Sequence, residues 1–300
     1  MIVVRLKGGF GNQLFQYATG RRLAIRHDTE LKLDARFLAD LSTGEPRSEF
    51  ILDGFKIKAT LASPEEVEIL RDPVVDSYPG FGFDKQLPAA ANKPSHILER
   101  QFNFQPDILR ARDNCLLEGY WTSAKYFADI RELLRFEFTP RSLCKRSMEL
   151  ISQMENLESI AVHVDGGDKS QNTTMGLLPT YYQDALAFIR SRKPESHLFI
   201  FSDDPEWYRE NLGSCEVATV INTAGQTAHE YVYMMSRCKH FVLSNSTLSW
   251  WAAWLADDEK IVIAPRPFSP ARSLDESDVY PPQWITIPSV AQEAEALKPL

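Results

Sequence analysis

In the second half of the chain, short apolar runs alternate with stretches of helical period. Runs over Ser159–Val164, His197–Ser202, 216–221, 240–244 and 260–264 are separated by helical patterns over 179–192, 205–212, 227–237 and 248–256. Strand-like runs separated by helices predict an α/β fold with a parallel, doubly wound sheet. The first half is less regular. A strand over 1–6 passes through a glycine-rich turn into a helix over 14–24, and a short strand follows over 30–34. Ser63-Pro-Glu-Glu combines a cap residue, a proline at the first helical position and an acidic first turn, which predicts a short helix over 63–70. The stretch 115–121 reads as a strand ending at a turn, 125–136 as the helix behind it, and 141–157 as an amphipathic helix. Between about 41 and 106, glycine, proline and aromatic residues break any period, and the segment reads as loop-rich. There is no internal repeat and no low-complexity stretch.

With 300 residues, 44% of them apolar, the chain can bury a sizeable core and fill two domains. The change of pattern places their boundary between 157 and 158. No run approaches the ~20 consecutive apolar residues of a membrane span, and the N-terminus opens on a strand instead of a basic-then-apolar leader, so a cytoplasmic protein is expected. Cys115, Cys144, Cys215 and Cys238 lie far apart without a CxxC pair, which speaks against a structural zinc site and a disulfide framework. A formal charge of −8 with dispersed basic residues argues against a nucleic-acid partner.

Candidate chemistry begins at Lys7-Gly-Gly-Phe-Gly-Asn-Gln13. Three glycines in four positions permit positive φ and close backbone approach, and the helix that follows offers N–H groups and a positive dipole end to a phosphate. The structural alternative is a tight strand-to-helix turn. In a doubly wound sheet, ligands sit at the carboxyl ends of strands. That draws attention to His163-Val-Asp-Gly-Gly-Asp168-Lys169, to Ser202-Asp203-Asp204 and to Asn245-Ser246-Thr247 with Ser249. The last two also read as plain helix caps, and the tryptophans at 250, 251 and 254 read as core. The carboxylates after Ser202 suit a ribose or base edge, and the hydroxyls at 246 and 247 suit a pyrophosphate.

Four stretches in order carry a resemblance: Gly8-Gly-Phe-Gly-Asn-Gln-Leu-Phe-Gln-Tyr-Ala18; Leu117-Glu-Gly-Tyr-Trp-Thr-Ser-Ala-Lys-Tyr-Phe127; Phe201-Ser-Asp-Asp204; and Met235-Ser-Arg-Cys-Lys-His240 with Ser244-Asn-Ser-Thr-Leu-Ser-Trp-Trp-Ala-Ala-Trp-Leu255. Together they resemble the bacterial α-1,2-fucosyltransferases, glycosyltransferase family eleven, over nearly the whole chain. The resemblance implies a GT-B architecture of two facing Rossmann-like domains: an acceptor-side domain over 1–157 and a GDP-fucose-binding domain over 158–300. It also implies inverting transfer of L-fucose from GDP-β-L-fucose to the 2-hydroxyl of a terminal β-galactoside, with no metal and no cofactor beyond the donor. Peripheral association with a membrane-borne glycan precursor is compatible with this. The donor set is then Gly8, Gly9, Phe10, Gly11, Asn12, Asp165, Gly166, Ser202, Asp203, Asp204, Asn245, Ser246, Thr247 and Ser249. The acceptor set is Gln13, Glu118, Tyr120 and Trp121, an indole or phenol face suiting the apolar side of galactose. The catalytic base is Asp168 or His163.

One departure matters. The family signature His-x-Arg-Arg-x-Asp is here His163-Val-Asp165-Gly166-Gly167-Asp168. A metal-free transferase neutralises the departing diphosphate with fixed cations, best with a bidentate arginine. Losing one such donor costs on the order of 3 kcal/mol, and Asp165 adds repulsion. Arg5, Lys7, Lys169 and Arg266 are the substitutes to look for. Two other classes stay open: a GDP-sugar or glycan-binding relative with weak or no turnover, and a transferase that uses another nucleotide sugar. A dehydrogenase is disfavoured, because the first turn is not G-x-G-x-x-G and Asp34 is the only near match for the ribose carboxylate.

Overall fold

The computed structural model describes residues 1–38, 49–85, 87, 93–165, 177–213, 218–221, 226–269 and 274–289. It divides into two compact units, one of 1–139 with Asp275–Val279 and one of 140–274 with 280–300. The division falls before helix α5 (Lys145–Asn156), so this helix, placed by its sequence with the first domain, belongs to the second unit. It packs there against α8 (Ala228–Met235), and Glu230 accepts a 2.6 Å hydrogen bond from the N–H of Cys144, the residue that caps α5.

The first unit is built on a parallel sheet of β1 (Ile2–Arg5), β2 (Leu31–Asp34), β3 (Thr60–Leu61), β4 (His96–Leu98) and β5 (Cys115–Glu118) in the order β3-β2-β1-β5-β4. Central β1 and β5 are buried throughout, as strands covered on both faces must be. Helix α1 (Phe10–His27) starts immediately after Gly9, earlier than its apolar period suggested, and ends at Asp28 in the left-handed conformation. Helix α2 (Pro64–Leu70) has the full capping box: Ser63 Oγ accepts from Glu66 N–H, and the Glu66 carboxylate accepts from Ser63 N–H. A further short helix, α3 (Pro73–Asp76), lies in the segment read as loop. The helix expected over 125–136 is instead two 3₁₀ turns followed by α4 (Arg131–Glu137). Glu137 on α4 is fully buried and accepts from Tyr17 (2.6 Å) and Arg21 (3.0 Å), tying α4 to α1.

The second unit carries β6 (Ser159–Val164), β7 (His197–Ser202), β8 (Ala218–Ile221), β9 (His240–Val242), β10 (Val262–Arg266) and β11 (Ile285–Pro288). All are parallel, in the order β11-β10-β9-β6-β7-β8. Helices α6 (Pro179–Arg190), α7 (Pro205–Asn211), α8 and α9 (Thr247–Leu255) form the crossovers. One layer of core joins Ile160, Val162, Ile200 and Val242 of the sheet to Tyr181, Ala185 and Ile189 of α6. The Tyr181 hydroxyl donates to the Leu243 carbonyl at 2.6 Å, which fixes the chain as it leaves β9. No helix of the described residues is long and apolar enough to cross a membrane.

Candidate functional site

At the carboxyl ends of neighbouring β6, β7 and β9 lies a cavity of about 370 Å³. His163 and Asp165 reach it from β6, Asp203 from the turn after β7, and Ser246 and Leu248 from the start of α9. Its remaining wall is the start of α8, with Gln226, Thr227, Ala228 and Tyr231. Two helix N-termini therefore border one cavity. Ser246 caps α9 by accepting from Leu248 N–H at 3.3 Å, and Thr227 caps α8 in a reciprocal box with Glu230.

His163 is buried at the cavity wall, and its Nδ1 lies 2.6 Å from Ser244 Oγ. Burial pushes its pKa down, against the opposing charges of Asp165 and Asp203, so the ring is neutral near pH 7. Burial also pushes the Tyr231 phenol up, helped by Asp203 and Asp165, so it is protonated. The described lining is thus two carboxylates, a neutral imidazole, hydroxyls and an amide, with no lysine or arginine.

Of the donor set, Asp165, Asp203 and Ser246 line this cavity. Asn245 and Thr247 flank Ser246 and are half-buried. Three others are committed to local structure. The Ser202 hydroxyl accepts from Asp204 N–H at 2.9 Å, Asp204 caps α7 through Trp207 N–H at 3.2 Å, and Ser249 is fully buried with its hydroxyl on the Ser246 carbonyl at 3.1 Å. Those caps are the structural alternative realised. Gly166, Asp168 and Lys169 lie outside the described residues. Gln226 and Ser244 escaped sequence reasoning. The Gln226 carbonyl oxygen is buried without a hydrogen-bond partner among the described residues, and only its position just before the Thr227 cap hinted at it.

The glycine turn belongs to the first unit and is simpler than its composition suggests. Only Gly8 has positive φ (+79°), and a Cβ there would sit 2.5 Å from the Asn12 side-chain nitrogen. Gly9 is extended at φ −66°, and Gly11 lies within α1. Phe10 is buried and stacks on Phe55 at 5.6 Å. Gln13, expected at the acceptor, is fully buried and donates to the Glu49 carbonyl at 2.9 Å and the Gly8 carbonyl at 3.3 Å. Gln16 clamps Lys7 from both sides, accepting from its N–H and donating to its carbonyl, each at 3.1 Å.

The ends of β1 and β5 carry a buried charge cluster. Arg5 donates to Glu118 at 2.6 Å and to Asp76 at 2.7 Å, Lys85 pairs with Glu118 at 2.8 Å, and His96 Nε2 lies 3.1 Å from the same carboxylate. Burial raises the Glu118 pKa, but His96, Arg5 and Lys85 outweigh it and hold the group at about 2. Glu118 is therefore a fully buried structural anion and not an acceptor contact. Asp76, His96 and Glu118 bring ligand-type atoms within 4.8 Å of one another, and Arg5 and Lys85 pair with the two carboxylates, so the arrangement is an ion-pair network. The same bonds commit Arg5, one proposed substitute for the missing arginines. Lys7 is buried with its ammonium 5.5 Å from the Phe81 ring, and Arg266 is exposed at the end of β10. Trp121 is fully buried, whereas Tyr120 is half-exposed.

Comparison with known proteins supplies the class. Over 302 residues the chain is 29% identical to the alpha-1,2-colitosyltransferase of Escherichia coli, covering 96% of this chain and 99% of that one. It is also 29% identical to the O-antigen biosynthesis glycosyltransferase WbnK of Escherichia coli, over 87% of this chain and 92% of that one. Galactoside alpha-(1,2)-fucosyltransferase 1 of Ateles belzebuth matches at 25% over 49% of this chain and 44% of its own length. Among solved structures, an arginine-to-lysine mutant of FUT1 from Arabidopsis thaliana in complex with GDP superposes with a TM-score of 0.50 at 12% identity, covering 89% of this chain and 71% of that one, which supports the GT-B type of fold. The family model for Glycosyl transferase family 11 matches residues 104–288, and on that match the chain belongs to this family of glycosyltransferases.

Proposed function

We propose that the chain is a galactoside α-1,2-fucosyltransferase that moves L-fucose from GDP-β-L-fucose to the 2-hydroxyl of a terminal β-galactoside with inversion. The observation that carries the reading is the cavity at the ends of β6, β7 and β9, bordered by the capped starts of α8 and α9. Helix N-termini favour phosphate, and the switch region of a doubly wound sheet is where nucleotides bind. The names of the relatives support an α-1,2 linkage.

In this reading Asp203 accepts hydrogen bonds from ribose or base, and Ser246 and Thr247 donate to the diphosphate. Inverting transfer needs a base at the acceptor hydroxyl and positive charge at the leaving diphosphate. His163, neutral because it is buried and oriented by Ser244, is in the protonation state a base requires at pH 7. Asp168 is the carboxylate alternative. Asp165 on the cavity wall opposes the leaving group, so turnover is expected to be slow compared with a relative that carries arginine there.

A second reading has its own support in the 96% coverage by the colitosyltransferase. Colitose lacks the 3-hydroxyl of fucose, so a donor cavity built for it makes no use of that group. The test is calorimetric titration of GDP beside transfer assays with GDP-fucose, GDP-colitose, GDP-mannose and UDP-galactose onto lactose. The assays are run on the wild type and on the double variant Asp165→Arg, Gly166→Arg. GDP binding with slow fucose transfer that the double variant accelerates supports the reading. Preference for GDP-colitose transfers it to the second. Absence of GDP binding in both forms refutes it.

A further inference from the structure

The turn after β5 is held in an unusual backbone conformation. Trp121 has φ +58°, a left-handed backbone that a bulky residue rarely adopts. It is fully buried, and its indole N–H has no hydrogen-bond partner among the described residues. Both features oppose folding and persist only where the surroundings impose them. Glu99 imposes them here. Its carboxylate has no exposure and accepts two backbone hydrogen bonds, from Tyr120 N–H at 2.7 Å and Trp121 N–H at 2.9 Å. Charge-assisted bonds of this kind are among the stronger ones available to a loop. The turn is also sterically closed: a Cβ on Gly119 would lie 2.4 Å from Glu99 Cβ, and one on Gly82 (φ +54°) would lie 3.1 Å from Gly119 Cα.

The residue presented by this turn is Tyr120. Its ring meets Phe81 at 5.2 Å and Phe83 at 5.9 Å, and Phe83 meets Phe102 at 5.5 Å in an edge-to-face pair. Phe81 is buried, while Tyr120, Phe83 and Phe102 each keep part of their surface in solvent. Rigid aromatic faces suit the C–H face of a pyranose, and the phenol adds a polar handle for a ring hydroxyl. The position, beyond the carboxyl end of a parallel strand, is where such sheets bind ligands.

We infer that Tyr120 and Phe83 form the platform on which the pyranose acceptor stacks, and that Glu99 is the positioning residue that holds Tyr120 in place through the strained turn. The inference rests on the reading of the chain as a transferase to a saccharide acceptor, and it adds Phe83 and Glu99 to the acceptor side.

Saturation-transfer difference NMR with lactose, recorded without nucleotide, reads this platform alone. Wild type is expected to transfer saturation to the galactose ring protons. Tyr120→Ala and Phe83→Ala are each expected to weaken lactose about tenfold with GDP titration unchanged, and Tyr120→Phe is expected to retain most of the signal. Glu99→Gln, which turns an amide N–H toward a backbone N–H, is expected to weaken lactose in the same direction and leave GDP binding as in wild type. The inference is overturned if wild type gives no lactose signal. It is equally overturned if both alanine variants bind lactose as wild type does; this outcome does not depend on how well Glu99→Gln folds. Lactose binding with absent GDP binding refutes the donor reading and leaves the platform standing.

Discussion

At the carboxyl ends of its first sheet the chain packs its own charges together, whereas at the same ends of the second sheet it leaves open space. Arg5, Asp76, Lys85, His96 and Glu118 satisfy one another beyond β1 and β5. Beyond β6, β7 and β9, Asp165 and Asp203 border a cavity of about 370 Å³ whose described lining brings no cation. Topology alone marks both places as ligand sites. The difference is what surrounds the carboxylates: Glu118 is fully buried between Arg5 and Lys85 and is structural, whereas Asp165 and Asp203 line a cavity.

The largest effect is expected from breaking the filled end. Glu118→Ala leaves Arg5 and Lys85 buried without their shared anion and should destabilise the protein by about 3–5 kcal/mol, read by denaturant unfolding. Acid probes the same network. The Glu118 pKa is held at about 2 in the folded state against an ordinary 4.5, so its contribution is complete above pH ~4.5 and is lost as pH falls toward 2. Asp76, lowered by Arg5 and Arg71 against its burial, acts in the same direction. Circular dichroism from pH 7 to 2 should show acid unfolding across that window, and Glu118→Gln should flatten it.

At the open end, Asp165→Arg replaces a repelling carboxylate with a phosphate-matching fork. A gain of about a hundredfold in transfer rate is expected, read with GDP-fucose and lactose. The smallest effect is expected of Ser249→Ala. Its hydroxyl is fully buried on the Ser246 carbonyl, so stability should fall by about 1 kcal/mol while GDP affinity stays the same.

Much of the fold was legible because its signals are local. The strands at Ser159–Val164 and His197–Ser202 and the capped helix after Ser63 are short-range patterns, and they appear where their residues indicate. β4 and β11 were not legible: His96–Leu98 is very short, Ile285–Pro288 ends in proline, and both are edge strands that pattern marks weakly. The site divides in the same way. Asp165, Asp203, Ser246 and His163 follow from strand ends and caps. The role of Glu118 depends on partners at 5, 85 and 96, whose proximity is tertiary and leaves no trace in spacing. Gln13 and Trp121 were misplaced for the same reason: polarity and aromaticity suggested contact with a ligand, and burial decides otherwise.

The central claim is that the nucleotide of the donor occupies the second-unit cavity. Ala228, at the first position of α8 on the cavity wall and half-buried, allows a direct test. Calorimetric titration of GDP into wild type and Ala228→Trp should show binding in the former and a loss of at least about a hundredfold in the latter, with unchanged unfolding. Equal GDP affinity in the two proteins would contradict the assignment.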